Sequence, residues 1–254
     1  MMRADVFLAT FGYSKSRSVA QALISSESVV INGNVIFKAS EQIDETADNA
    51  VVITQKQKYV GRGGVKLEYA LERFAIDVTG MTAVDIGAST GGFTDCLLQS
   101  GAKKVFAVDS GEGQLDSSLI VNDRVVNMEK YNARNLKKED FSDKLDIAVM
   151  DVSFISQTLI IPSLSNLLDN GAWFVSLIKP QFEVGRSAVG KKGIVKSPKD
   201  RINAVKSVIS FAENFGFGCI GVSESAITGG DGNIEYVAAF KKGIQNKISI
   251  DLQR

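Results

Sequence analysis

Apolar and polar positions fall into two textures along this chain. Over residues 3–58 the apolar positions come in short bursts. Val6, Leu8, Ala9 and Phe11 predict a short helix ended by Gly12, and Val19, Ala20, Leu23 and Ile24 form the stripe of a second helix that Ser14 can cap. Val29-Val30-Ile31 and Val35-Ile36 flank Asn32-Gly33, a dipeptide suited to the left-handed positions of a tight hairpin. Val51-Val52-Ile53 predicts another short strand. Tyr59-Val60-Gly61-Arg62-Gly63-Gly64 then breaks the pattern. The expected organisation is a small α+β domain over 1–58, a joint over 59–64 and a larger domain over 65–254.

Beyond the joint, strand-like and helix-like segments alternate. Val65 to Ala75 reads as a helix with Leu67, Leu71 and Phe74 on one face. Strands are expected at Thr82–Ile86, Val105–Asp109, Val125–Met128, Ile147–Val152, Trp173–Ile178, Cys219–Ser223 and Glu235–Lys241, with a helix near Lys199–Glu213. Such alternation predicts a mostly parallel sheet covered on both faces. Ala226–Asn233 is too short for a helical crossover, so the final strand should run antiparallel.

The first of these strands leads into Asp85-Ile86-Gly87-Ala88-Ser89-Thr90-Gly91-Gly92-Phe93-Thr94. Small residues there let a strand-to-helix turn approach a ligand closely, with helix N–H groups facing it. The spacing G-x-x-x-G-G differs from the dinucleotide fingerprint, although a nucleotide-type cofactor is still expected. Candidate contacts are Gly87, Ala88, Ser89, Gly91, Gly92 and Phe93. Asp85 either meets the cofactor or organises the turn. Asp109 can accept two hydrogen bonds from a ribose diol or cap a helix.

Composition narrows the chemistry. The 254 residues are 44% hydrophobic, and Lys+Arg and Asp+Glu balance at 29 each, so a nucleic-acid partner has to be sought in local charge. Histidine is absent, which excludes His triads and His bases, and two distant cysteines indicate neither a disulfide framework nor a metal site. Cys96 reads as a packing residue. The amino terminus lacks a signal-peptide pattern and no apolar run reaches membrane-spanning length, so a cytoplasmic protein is expected. Asp151 and Lys179 each end an apolar strand on the glycine-turn edge, where open parallel sheets gather ligands. They can neutralise each other, as a structural ion pair or as part of a catalytic site. From Lys179 to Lys206, eight basic residues stand against two acids, either a solvated loop or a phosphate-contacting one.

Two resemblances add to this reading. Arg3-Ala4-Asp5, Ser14-Lys15-Ser16-Arg17, Ala20 and Val29-Val30-Ile31-Asn32-Gly33 resemble the S4 RNA-binding domain. That resemblance implies phosphate contacts by Lys15, Arg17 and Lys38. Asp85–Thr94, Val108-Asp109 with Gly113-Gln114-Leu115, Met150 to Ser156, Lys179-Pro180-Gln181-Phe182-Glu183 and Gly229 to Glu235 together resemble the TlyA family over roughly residues 3 to 242. That family, often labelled hemolysin A, comprises S-adenosylmethionine-dependent ribosomal RNA 2′-O-methyltransferases with an FtsJ/RrmJ-like domain. The implied fold is a Rossmann-like, seven-stranded, mostly parallel sheet behind a small α+β S4-like domain. Gly61 departs slightly from the family, which often carries Ser there.

The resemblance implies a catalytic set of Lys66, Asp151, Lys179 and Glu235, with Asp151 also near the cofactor. A ribose hydroxyl is a poor nucleophile, and a neutral lysine can accept its proton; Lys179 is the candidate base. Lys66 would disfavour a second ammonium, while Asp151 and Glu235 orient the lysines and oppose that effect. Beside such a site, Arg62, Arg186, Lys191 and Lys192 become candidate RNA contacts. The implied substrate is a cytidine ribose in 23S rRNA, and in some members also in 16S rRNA. Narrower-range members tend to have shorter ends, which leans this chain towards 23S rRNA alone. The implied partner is ribosomal RNA or a ribosomal subunit, with no membrane and no metal; the oligomeric state is not set. Two other classes compete, a membrane-lysing protein and a non-catalytic ribosome-binding module. The first lacks a spanning segment or long cationic amphipathic helix, and the intact lysines and acids count against the second.

Overall fold

Packing divides the chain into two units, Met1–Lys58 and Tyr59–Arg254. The computed structural model describes residues 1–25, 28–53, 58–185, 188–190 and 192–245. In the first unit, β1 (Met2–Arg3) leads into α1 (Ala4–Thr10) and α2 (Arg17–Ser25), followed by β2 (Val29–Ile31), β3 (Asn34–Val35), β4 (Gln42–Ile43) and β5 (Val51–Ile53). Strands β3, β2 and β5 form an antiparallel sheet, and β1 pairs with β4, a pairing the apolar pattern did not reveal. Asn32 (φ 54°) and Gly33 (φ 79°) supply the expected left-handed turn. The cap of α2 is Ser16 rather than Ser14, because the Ser16 hydroxyl accepts from Val19 N at 3.3 Å. Phe7, Leu8, Ile24, Val29 and Ile31 lie at the centre of this unit's core.

The second unit begins earlier than expected. Tyr59 is buried, and Val60 N donates to Asp95 Oδ2 at 2.8 Å, so residues 59–64 pack as part of this unit. It contains α3 (Gly63–Arg73), β6 (Thr82–Ile86), α4 (Gly92–Gln99), β7 (Lys104–Val108), α5 (Ser117–Ile120), β8 (Val125–Met128) and β9 (Ile147–Met150). After these come α6 (Ile161–Leu167), β10 (Trp173–Ile178), α7 (Pro180–Glu183), α8 (Pro198–Asn214), β11 (Phe217–Glu224) and β12 (Tyr236–Lys242). The seven strands lie in the order β11-β12-β10-β9-β6-β7-β8, and β12 alone runs against the others.

Both faces of this sheet are covered, which explains its nearly continuous apolar strands. Leu67, Leu71, Cys96 and Leu97 from α3 and α4 pack on one face. Ile161, Leu164, Val205, Val208 and Ile209 from α6 and α8 pack on the other. The chain runs β6, β7, β8 to one side and then returns to place β9 beside β6. That reversal opens a crevice at the carboxyl ends of β6 and β9, the usual ligand position in such sheets.

Candidate active site

The glycine turn occupies that crevice. Gly87 has φ +81°, and a Cβ there would stand 2.6 Å from the Asp151 carbonyl oxygen. Only glycine lets the loops after β6 and β9 come this close. Gly91, also left-handed at φ +94°, is the N-cap of α4, and its missing side chain makes room for Leu115 and Leu119. Ser89 takes φ +49° without being glycine, a conformation its surroundings must impose.

Two connected cavities open beside the turn. The smaller, about 190 Å³, is lined by Gly87, Ala88, Ser89, Gly92, Phe93 and Asp151, together with Lys179. The larger, about 400 Å³, shares Gly87, Ser89, Asp151 and Ser153 and adds Asp109, Gln114, Tyr131 and Asn132. Their sizes suit a nucleoside-type ligand. Gly91 and Asp85 line neither.

Asp85 is fully buried and acts on the turn through Thr94, whose hydroxyl donates to Asp85 Oδ2 at 2.7 Å; among the described residues Oδ1 has no partner. Burial pushes its carboxyl up to about 7; the Thr94 hydrogen bond opposes this, and the Asp151 charge adds to it. Asp109 follows β7 directly, and its two oxygens accept from Ser89 N at 2.8 Å and Gly111 N at 2.7 Å. It therefore holds the turn rather than capping a helix. Asp109 lines the larger cavity, and each of its oxygens can accept a further hydrogen bond.

The four lysines and acids form two ion pairs. Lys179 Nζ lies 2.6 Å from Asp151 Oδ1, and its hydrogen bond goes to Ser153 Oγ at 2.8 Å. Lys66, on α3, is 2.5 Å from Glu235 Oε2, and both side chains are almost fully buried. Glu235 immediately precedes β12 and Lys179 immediately follows β10; the Ile178–Tyr236 pairing brings both to one end of the sheet. Gly63 links α3 to this edge, since a Cβ there would be 3.7 Å from Asp151 Oδ2.

Sequence patterns missed several cavity residues. Tyr131 and Asn132 follow β8 at the same carboxyl edge, but no charged strand end marks them. Phe154, 93% exposed with φ +64°, also lines the larger cavity and packs on Phe182 with ring centroids 5.1 Å apart. The signal was present, because both lie within strand-end motifs.

The basic candidates fall in several places. Lys15, Arg17 and Lys38 are exposed on the first unit, where Arg17 Nη2 reaches the buried Asp5 carboxylate at 3.1 Å. Arg62 and Lys192 are exposed on the second, and Arg62 Nη2 donates to the Thr228 carbonyl at 2.8 Å. Arg186 and Lys191 lie outside the described residues.

Residues 59–242 match the FtsJ-like methyltransferase family, and residues 2–48 match the S4 domain. The chain belongs to the TlyA-type FtsJ-like methyltransferases. Hemolysin A of Brachyspira hyodysenteriae is 45% identical, over 94% of this chain and 99% of its own length. The 16S/23S rRNA (cytidine-2′-O)-methyltransferase TlyA of Mycobacterium tuberculosis is 42% identical, over 92% of this chain and 87% of its own length. A solved structure from Streptococcus thermophilus, titled as a candidate hemolysin, is 42% identical with a TM-score of 0.78 and covers 97% of this chain and 91% of that one. Among the described residues, no helix is long and apolar enough to cross a membrane.

Proposed function

We propose that this protein is an S-adenosylmethionine-dependent rRNA 2′-O-methyltransferase acting on a cytidine ribose in 23S rRNA. The observation that carries this reading is the Lys179–Asp151 pair, facing a cavity formed by the glycine turn. The choice of 23S rRNA rests on relatives. It appears both in the name of the Mycobacterium protein and in that of the 34% identical Campylobacter jejuni 23S rRNA (cytidine-2′-O)-methyltransferase TlyA.

The residues present fit S-adenosylmethionine. Gly87 and Gly92 keep side chains out of the turn, and Asp109 offers acceptors for ribose hydroxyls. When bound, that cofactor supplies an electrophilic methyl group on a positively charged sulfur. Lys179 would accept the proton of the 2′-hydroxyl that receives the methyl group. Asp151 and Ser153 aim Lys179, and the buried Lys66–Glu235 pair fixes α3 against the start of β12. Positioning of this kind supplies much of the rate when no covalent enzyme intermediate is formed. Lys15, Arg17 and Lys38 on the S4 domain, with Arg62, Arg186, Lys191 and Lys192, contact RNA phosphates, and the working compartment is the cytoplasm.

The test is purified protein with methyl-labelled S-adenosylmethionine and separated ribosomal subunits from an unmodified strain. Label should appear as 2′-O-methylcytidine in 23S rRNA. Lys179→Ala should lose about 10²–10⁴-fold in methyl transfer while still binding cofactor. Label on a base atom, or no label on either subunit, would overturn the assignment; label on 16S rRNA alone would overturn the choice of 23S.

A further inference from the structure

The segment that aims Lys179 is tied to β6 at its start, where Asp151 N donates to the Ile86 carbonyl at 3.0 Å, and leaves the sheet after that. Asp151 and Ser153 both lie beyond the end of β9, whose last pairing with β10 is Met150 with Ser176. Immediately after Ser153, Phe154 sits in a left-handed conformation that a non-glycine residue adopts only when its surroundings impose it. The lysine side chain is long and flexible, so its direction depends on this segment.

A buried polar bridge supplies the missing constraint. Gln157, 1% exposed, donates from Nε2 to the Leu177 carbonyl at 2.6 Å and accepts from Ser176 Oγ at 2.7 Å. Its own backbone N–H donates to Glu183 Oε1 at 2.9 Å, and Glu183 Oε2 accepts from Ser156 Oγ at 2.6 Å. Burial pushes the Glu183 carboxyl up, and these two hydrogen bonds oppose that. The bridge therefore connects the end of the 151–157 segment to β10 on one side of Lys179 and to α7 on the other.

We propose that Gln157 and Glu183 are positioning residues, holding the loop after β9 so that Asp151 and Ser153 keep Lys179 aimed at the reacting hydroxyl. The inference rests on the methyltransferase reading of Lys179. Neither residue touches the substrate; each acts by fixing the distance between two loops. A connected network that is buried at Gln157 and half-buried at Glu183 is well suited to this, because losing either residue removes hydrogen bonds that tie the loop to its neighbours.

The test measures kcat, the KM for 23S rRNA and cofactor Kd in the full-length protein carrying Gln157→Met, Glu183→Leu or Glu183→Gln. Gln157→Met and Glu183→Leu should lower kcat by about 10–100-fold, the range for an ångström-scale misplacement, with KM and Kd within about twofold. Glu183→Gln keeps one acceptor and should recover part of the loss. The folded fraction, from circular dichroism, is measured alongside, and Glu183→Gln serves if the harsher variants do not fold. Wild-type kcat in the folded variants would overturn the proposal, as would a loss matching the unfolded fraction. Lys179→Ala in the same assay separates the two claims. If it stays active, the catalytic reading fails; if it is inactive while the bridge variants are normal, only the positioning inference fails.

Discussion

Replacing Asp85 by Asn tests the electrostatics beneath the glycine turn directly. Asp85 has no exposed surface, and burial raises its carboxyl from an ordinary value of 3.8 to about 7. The folded protein thus keeps this proton to about pH 7, whereas the unfolded chain releases it near 3.8. Between those values the folded state binds more protons, so stability falls as pH rises through the window and levels off above it. The full gap corresponds to about 4 kcal/mol, of which roughly 2–3 kcal/mol falls between pH 5 and 8.

Asparagine keeps an acceptor for the Thr94 hydroxyl and cannot ionise. Any constant cost of its amide cancels when two pH values are compared. Urea unfolding is followed by fluorescence of Trp173, the single tryptophan, which lies in β10 of the second unit. From pH 5 to pH 8 Asp85→Asn should gain roughly 2–3 kcal/mol relative to wild type. A stability difference that does not change with pH would refute the argument, because it would mean that Asp85 is ionised in the folded protein throughout.

Lys66→Met leaves Glu235 buried without its cation and should cost about 3–5 kcal/mol in the same unfolding assay. Adding Glu235→Leu should recover most of that stability without restoring methylation. Gly87→Ala puts a Cβ 2.6 Å from the Asp151 carbonyl at φ +81°, so cofactor affinity by calorimetry should fall while the S4 domain stays folded. Arg17→Ala should weaken rRNA binding and reduce the slope of log affinity against log salt by about 1. An unchanged slope would show that Arg17 serves Asp5 alone.

Element types were legible because their signals are local. The hairpin at Asn32-Gly33, the helix from Pro198 to Asn214 and the reversed final strand follow from turn chemistry, period and loop length. Boundaries moved by a residue or two, and this mattered for function. The apolar pattern puts Asp109, Asp151 and Glu235 at strand ends, but each stands just outside its strand, where a side chain can turn into the crevice. Ser14 yielded the cap to Ser16, and residues 59–64 joined the second unit instead of spanning between domains.

The sequence by itself determined the alternation of elements, the glycine turn and the set of charges at strand ends. Each depends on residues within one or two turns of one another. Only the tertiary structure decided which charges meet, because that follows from strand order. Placing β12 between β10 and β11 pairs Lys66 with Glu235 across 169 residues, and returning β9 beside β6 sets Asp151 against the turn. The same packing sealed Asp85 away from the cavities, set Asp109 to hold the turn, and built the Gln157–Glu183 bridge from residues with no pattern in common. Burial of both sheet faces selects that order, and no local period records it.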